Sequence, residues 1–399
     1  MLTLTFEQAR AVVEREVCAA RQPLETESVP LAGAQGRVLA EPAAADRDCP
    51  PFDRATRDGY AVRAAETPGS LRVAGQVRAG EEFRGALRPG EAIEIMTGAP
   101  VPAGADAVVM VEYSQREGDV VALERGARAG ENIVPRGSEA PQGLVALEPG
   151  HRLRFPEIAL LAGFGCAEVR VYRRPRVAIL STGDEVVEIT ATPRNCQIRN
   201  SNAHSLAAQV SRAGGEPAVL PIAPDDRVRT RELIERGLAA DLLLLSGGVS
   251  MGKYDLVEQA LADLGAEFFF DGVLIRPGKP LVFGRAREKF FFGLPGNPLS
   301  TMVTFEVFAR ATIELLGRVA DVSLRFLHAR LGADFRHKPG LTRFLPAMLS
   351  GCRDEVTVVP VKWQGSGDVG ALTRSNCLLV AAAGREEWKA GEWMPVLPL

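Results

Sequence analysis

Lysine is scarce in this chain: Lys253, Lys279, Lys289, Lys338, Lys362 and Lys389 are the only ones among 47 basic residues. A lysine set inside a glycine-proline turn, as Lys279 is, therefore stands out. Cysteine is also sparse, with six residues and no C-x-x-C pair, and the four histidines are dispersed. No zinc site can be assembled from local spacing, and the cysteines read as reduced thiols of a cytoplasmic protein. No stretch reaches the roughly 18 apolar residues a membrane span needs. The first sixteen residues, MLTLTFEQARAVVERE, lack the basic start and apolar run of a secretion signal. A net charge of −3 supplies no basic field for nucleic acid or a membrane surface. No Ser-His-Asp pattern, G-x-S-x-G elbow or G-x-G-x-x-G fingerprint occurs, which weighs against hydrolase and dehydrogenase chemistry.

What is present is a chain of 399 residues with 46% hydrophobic and 24% charged side chains, an ordinary globular composition. At this length roughly two to four domains are expected. Its centre is DLLLLSGGVSMGKYD, residues 241–255. Four leucines make a short run suited to a strand buried on both faces. Ser246, Gly247 and Gly248 then let the backbone turn sharply, and a helical pattern with Leu256, Ala260 and Leu264 on one face follows, stopping at Gly265. A strand, a glycine turn and a helix N-terminus together can bind an anion through backbone N–H groups.

In chain order, Thr5 and Gln8 read as a capping box opening a helix to about Ala20. An N-terminal helix with an extended linker region is assigned to 1–45, a β-rich inserted domain to 46–140, and a return linker to 141–174. Residues 70–140 carry short Val/Ile runs between glycine turns, suggesting a small barrel or sandwich. Residues 156–175 read as a short helix, a glycine stop and a strand. From Pro175 to about 320, strands and helices alternate in a doubly wound α/β domain: RVAIL (176–180), a helix 203–213 with Asn202 as its cap, AVLPI (218–222), and Asp225-Asp226 capping the helix after them. Leu294-Pro295-Gly296-Asn297-Pro298 opens a helix to about Leu316, with Asn297 at N-cap and Pro298 at N1. Residues 321–399 return to short strands in a small β-domain. The fold class is thus α/β plus β domains, with ligands expected beyond the carboxyl ends of the α/β strands.

Two kinds of group gather at those ends. Anion donors come from the glycine turns, helix N-termini, Lys279, Ser300 and Ser366. Carboxylates come from Asp184, Glu185, Asp225, Asp226 and Asp255. Acids beside an anion site repel the ligand unless a divalent cation lies between, and Mg²⁺ suits oxygen ligands and phosphate partners. Gly247 to Lys253 matches G-x-x-x-x-G-K, but Tyr254 stands where a phosphate-binding loop needs a Ser or Thr for its metal, so that reading is set aside. Residues alone indicate an α/β enzyme for a phosphorylated or oxyanionic ligand.

The motifs DGYA (58–61), TGAPVPAGADAVV (97–109), STGDE (181–185), SGGVSMGKYD (246–255), RPGKP (276–280), LPGNP (294–298) and GSG (365–367) occur in that order. Together they resemble the molybdopterin molybdenumtransferases, the family of bacterial MoeA and the gephyrin E domain. The resemblance spans nearly the whole chain. It implies a four-part architecture and an elongated homodimer with clefts between subunits. It also implies the reaction: molybdate enters the dithiolene of adenylylated molybdopterin, AMP leaves, and molybdenum cofactor results. By position, Lys279, Ser300 and Ser366 would hold molybdate. Glu185, Asp226 and Asp255, with Asp225 as a further metal candidate, would place Mg²⁺ and the pyrophosphate bond. Asp58 and Thr97 would reach in from the partner subunit. Substrate contacts are further implied at Gly183, Asp184, Ser246, Gly247, Gly248 and Ser250, and at Pro295, Asn297 and Pro298. A molybdopterin adenylyltransferase and molybdoenzymes or cofactor carriers are the implied partners.

The chain also departs from the family pattern. Thr56 and Arg57 precede DGYA where Ser and an apolar residue are usual. Val134 replaces an arginine, with Arg136 near. Gly137-Ser138-Glu139 replaces Gly-Glu-Asp and keeps a carboxylate at Glu139. Pro346 stands where an arginine is expected to help bind molybdate; Arg343 is nearby, and whether it substitutes is open at this point. Two other functions are open on the same motifs: a molybdopterin adenylyltransferase, which needs only the central domain, and a molybdopterin-binding scaffold.

Overall fold

The computed structural model describes residues 2–20, 23–247, 256–352 and 355–399. The first helix, α1 (Phe6–Ala19), is capped as the sequence predicts, with the Thr5 hydroxyl and Gln8 side chain exchanging bonds with each other's backbone. Its face of Phe6, Ala9, Val13 and Val17 is buried in the core of the α/β domain, where Phe6 packs edge-on against Phe308 and Phe344. Residues 26–44, read as an extended connector, are paired only in pieces, at Thr26–Pro30, at 38–39 and at Ala43–Ala44, with a 3-10 helix at Leu31–Gly33 between the first two. Strand β1 (Thr26–Pro30) is the longest of these pieces.

The inserted segment folds into one six-stranded sheet of β2 (Gly59–Val62), β3 (Gly69–Val77), β4 (Glu91–Ile95), β5 (Ala107–Met110), β6 (Ser114–Glu117) and β7 (Val120–Leu123). Their order is β5-β2-β4-β3-β7-β6, with only β3 and β4 parallel. Alternate residues of β2 and β5 feed two apolar clusters, one on each face: Ala61 and Val108 go to one, Tyr60, Val62 and Val109 to the other. Helix α2 (Phe155–Gly163) and strand β8 (Glu168–Tyr172) return the chain, and β8 closes antiparallel onto β1.

The α/β domain contains β9 (Arg176–Ser181), α3 (Ser201–Ala213), β10 (Glu216–Val219), α4 (Arg227–Gly237), β11 (Leu242–Ser246), α5 (Leu256–Asp263), β12 (Glu267–Phe270), β13 (Ile275–Arg276), β14 (Val282–Ala286), β15 (Lys289–Leu294), α6 (Pro298–Thr304) and α7 (Arg310–Leu316). Its sheet runs β10-β9-β11-β15-β14-β12 with the first four strands parallel. The four leucines of β11 are fully buried, Leu242 and Leu244 under α3, and Leu243 and Leu245 under α4 and α5. Burial of each is worth on the order of 2 kcal/mol. In α5 and the residue after it the buried face is Val257, Ala260, Leu261 and Leu264, so the predicted stripe holds at Ala260 and Leu264 while Leu256 is only half-buried. α6 and α7 join through a π-helical turn, Phe305–Ala309, into one helical run that ends at Gly317 as predicted.

One correction concerns the start of α3. Its N-cap is Asn200, whose side chain accepts the Ala203 N–H, and not Asn202. The helix begins two residues earlier than the periodicity suggests.

Strands β16 (Leu327–Leu331), β17 (Thr342–Ser350), β18 (Thr357–Pro360), β19 (Cys377–Ala381) and β20 (Trp393–Pro398) close into a barrel, because β17 pairs with both β18 and β19. A short helix, α8 (Val369–Thr373), precedes β19. The α/β domain is stitched to this barrel by β13, which adds parallel to β17 with Arg276 opposite Arg343. Among the described residues no helix is long and apolar enough to cross a membrane.

Candidate active site

Strand β9 lies between β10 and β11, so the chain reverses its direction of winding there and leaves a crevice at the carboxyl ends of β9 and β11. Ser181 and Ser246 end the two strands in register. Thr182 N–H donates to the Ser246 carbonyl at 3.1 Å, and Gly247 N–H reaches the Leu294 carbonyl at 3.4 Å. Gly247 has φ +90°, and a Cβ there would fall 2.9 Å from the Thr182 carbonyl oxygen. Gly296 lies next to it, with a Cβ built there falling 3.6 Å from the Gly247 Cα, an ordinary contact. The STGDE, SGG and LPGNP turns thus meet at Gly247, where the close approach to Thr182 requires glycine. Asn202 ties this point together. Its amide nitrogen donates to Ser246 Oγ and to the Gly296 carbonyl, both at 2.8 Å.

The described acids of the strand-end loops have individual duties. Asp184 Oδ1 accepts the Asp225 backbone N–H at 3.0 Å, joining the β9 and β10 loops. Asp226 caps α4 by accepting Arg229 N–H at 2.8 Å, as the sequence predicts. Glu185 folds back over Gly183, where a Cβ would lie 2.3 Å from its Oε2, and its carboxylate has no partner among the described residues. Gly183 has φ +125°, so both its conformation and the carboxylate above it require glycine. No three acidic, histidine or cysteine side chains converge as a metal cage among the described residues. The donor type nonetheless fits Mg²⁺: Glu185 is an unpaired hard oxygen ligand, and this ion is commonly held by one or two carboxylates plus substrate phosphates. Gly248, Ser250 and Asp255 lie outside the described residues.

On the other flank, α6 collects three motifs. Asn297 sits at its N-cap with no side-chain capping bond, and Pro298 occupies the first turn. The Pro295 carbonyl accepts from the Thr301 hydroxyl, which holds the LPGNP turn against the helix. Leu299 N–H, left free by the helix geometry, donates to the Ser366 carbonyl of the GSG turn at 3.0 Å. That bond ties Ser366 to the residue before the buried Ser300. One turn on, Gly278 of RPGKP packs on Thr304. Lys279 follows, its carbonyl held by the Val273 and Leu281 N–H groups and its exposed side chain without hydrogen bond or ion pair among the described residues. Arg343 donates to the Lys338 carbonyl at 3.2 Å, while its Nε is buried without a partner. Burial first, then the charge of Arg276, lowers its pKa from the ordinary arginine value. Arg276, three residues before Lys279 in sequence, thus lies opposite Arg343 in register, and none of the three side chains has an acidic partner among the described residues.

A second group stands on the inserted sheet. Asp58 Oδ1 accepts from both the backbone N–H (2.6 Å) and hydroxyl (2.8 Å) of Thr97. Those bonds, the backbone one first, hold Asp58 below the usual carboxylate range. Gly59 lets this turn press on β5, since a Cβ would lie 1.9 Å from the Val109 carbonyl oxygen. Glu139 accepts from Arg54 at 2.8 Å, and Arg136 pairs with Asp48 at 2.7 Å. The hydrogen bonds of Asp58, Thr97 and Glu139 all stay within the inserted segment. Sequence reasoning missed Arg276 and gave Asn202 the wrong duty. The paired registers that expose both roles are long-range.

This geometry defines a doubly wound ligand-binding α/β domain carrying a β-barrel whose turn completes its site. Three family models match in succession: MoeA N-terminal region (domain I and II) over residues 4–165, probable molybdopterin binding domain over 178–315, and MoeA C-terminal region (domain IV) over 328–399. The molybdopterin molybdenumtransferase of Bacillus subtilis is 34% identical over 395 residues, covering 96% of this chain and 92% of its own. That of a Nostoc species is 41% identical over 307 residues, covering 74% and 70%. The solved molybdopterin biosynthesis moeA protein of Pyrococcus horikoshii superposes over all of both chains with a TM-score of 0.82 at 29% identity. The chain belongs to the molybdopterin molybdenumtransferase family.

Proposed function

We propose that this protein is a molybdenum insertase: it transfers molybdate into the dithiolene of adenylylated molybdopterin, and AMP is released as the phosphoanhydride bond breaks. The observation that carries the reading is the meeting of GSG, RPGKP and LPGNP on one helix, through the Ser366–Leu299 bond and the Gly278–Thr304 contact. A tetrahedral dianion needs hydroxyl donors and nearby positive charge, and this corner of the fold supplies both.

Lys279, Ser300 and Ser366 bind molybdate in this proposal, and Arg343 serves in place of the arginine that Pro346 displaces. The crevice of Gly183, Ser246, Gly247 and Gly296 admits the pterin and its phosphates, because glycine allows close backbone approach. Glu185 and Asp226, with Asp225 and Asp255, hold Mg²⁺. That ion supplies charge neutralisation at the phosphoanhydride when bound. The remaining contribution of the chain is placement: molybdate and anhydride are held in fixed proximity by turns that are themselves cross-bonded. The protein works as a homodimer, with Asp58 and Thr97 contributed across the subunit boundary.

The test is a reconstitution with purified protein, adenylylated molybdopterin, Mg²⁺ and micromolar molybdate, following AMP. Molybdate-dependent AMP release that fails in Lys279→Ala is the expected result. AMP formation indifferent to molybdate would overturn insertion in favour of simple hydrolysis.

A further inference from the structure

We propose that Asn202 is the positioning residue of this site: its side-chain amide fixes the spacing between the Ser246–Gly247 turn and the Gly296–Asn297 turn. The ligand clause, that adenylylated molybdopterin lies along these turns, rests on the function proposed above. The clamp itself does not.

Asn202 lies in the first turn of α3, where asparagine normally serves as a cap. Here that duty is discharged by Asn200, which accepts from Ala203 N–H at 3.2 Å and from Ser181 Oγ at 2.8 Å. The buried face of α3 is Ala203, Leu206, Val210 and Ala213, so Asn202 is not needed for packing either. Its amide turns instead toward the strand ends. Two N–H protons meet Ser246 Oγ and the Gly296 carbonyl at 2.8 Å each, and Thr301 Oγ1 stands further off at 3.4 Å. A backbone carbonyl can only accept, so the nitrogen must face Gly296 and the orientation of the amide is fixed.

That orientation leaves Asn202 Oδ1 buried with no partner among the described residues, and Thr182 Oγ1 in the neighbouring turn is buried and unpaired among them as well. Unpaired buried oxygens are uncommon and call for a reason. The reason here is geometric. The parallel ladder joins the two segments as far as Ser246 and Leu294, and beyond it the backbone bond between the described residues of the turns is the long Gly247–Leu294 contact of 3.4 Å. Asn202 adds two short bonds past the end of the ladder, and it gives up its own oxygen to do so.

The test compares Asn202→Asp with wild type. This change keeps the volume, removes both donors and sets a carboxylate against the Gly296 carbonyl. Hydrogen exchange without any ligand is expected to show roughly tenfold faster exchange at Gly247 and Thr301, with the amides of 206–213 unchanged. Unaltered exchange at Gly247 and Thr301, or equal loss along α3, would overturn the clamp. In turnover assays KM for adenylylated molybdopterin should rise roughly tenfold with a smaller change in kcat, and Asn202→Ala should behave alike. A fall in melting temperature with unchanged KM would mean a purely structural role. If wild type shows no affinity for adenylylated molybdopterin, the functional reading falls, while the exchange data still decide the clamp.

Discussion

The carbonyl oxygen of Ser366 accepts the backbone N–H of Leu299 at 3.0 Å, so a turn of the C-terminal barrel occupies a bond that the first turn of α6 cannot make for itself. The link is through the backbone, which leaves the Ser366 hydroxyl available to a ligand. Ser366→Ala should therefore preserve the docking of the GSG turn. Its expected signature is a rise of roughly tenfold in the molybdate KM, the scale of one lost hydrogen bond to an anion, with little change in melting temperature. Thermal unfolding and molybdate titration of AMP release check both halves.

Gly278 is a stricter position. It has φ +106°, and a Cβ would fall 2.3 Å from Thr304 Cγ2. Thr304 is fully buried, and its hydroxyl donates to the Ser300 carbonyl at 2.8 Å, so it has little freedom to yield. Gly278→Ala is expected to cost about 2 kcal/mol of stability, combining backbone strain and overpacking. The Lys279 turn should shift with it, so molybdate affinity falls alongside. A variant of wild-type stability, measured by denaturant unfolding, would contradict this packing.

Much of this was legible from local chemistry. The capping box at Thr5, the glycine stop at Gly214 and the two-faced leucine strand 242–245 all depend on neighbours in sequence. What escaped depends on distant partners. In Asn200-Ser201-Asn202 either asparagine could cap, and the choice is settled by Ser181, Ser246 and Gly296 from three other segments. Closure of the barrel rests on β17 pairing with two strands at once, which no alternation of residues reveals. The Arg276–Arg343 register is of the same kind. The acids were legible as residue types, but whether each serves as a cap, a loop tie or an open ligand is set by the fold.

Arg343 faces Arg276 in register with no acid paired to either among the described residues, an arrangement that works against the fold and in favour of an anion. Arg343→Met keeps an unbranched apolar stem, shorter than arginine, and removes the repulsion. It should melt at or above the wild-type temperature, yet require roughly tenfold more molybdate for half-maximal AMP release. Added salt should weaken molybdate binding less in this variant than in wild type. A variant that is less stable but binds normally would reverse the assignment.

Acid sensitivity has a definable source in the linker region. The Arg154 side chain, hydrogen-bonded to Glu157, holds that carboxyl at about 2 against the opposing effect of burial, with the Arg154 backbone N–H and His151 adding to it. The folded pKa lies below the unfolded value of 4.5, so this stabilisation is present above pH 4.5 and is lost as pH falls through about 2. Glu157→Gln should accordingly lower stability at pH 7 and narrow the gap to wild type between pH 4.5 and 2. Unfolding midpoints across that range give the answer, and a gap independent of pH would remove Glu157 as the cause.

The last prediction concerns two groups that the fold keeps on separate sheets. Asp58 is oriented by Thr97 on the inserted sheet, and its Oδ1 takes both of the Thr97 bonds. Lys279 stands on the α/β domain beside the barrel, unpaired. If a complete site draws Asp58 from one subunit and Lys279 from the other, each variant alone disables every site of its own dimer. A mixed dimer of Asp58→Ala and Lys279→Ala then differs: one of its two sites carries both lesions and the other carries neither. Mixing the two inactive proteins under conditions that exchange subunits should restore molybdate-dependent AMP release in part. If both residues served one site within a single chain, every site in the mixture would remain damaged and no activity would return. Subunit exchange followed by mass measurement of the mixed dimer, with AMP release assayed on the same sample, separates these outcomes.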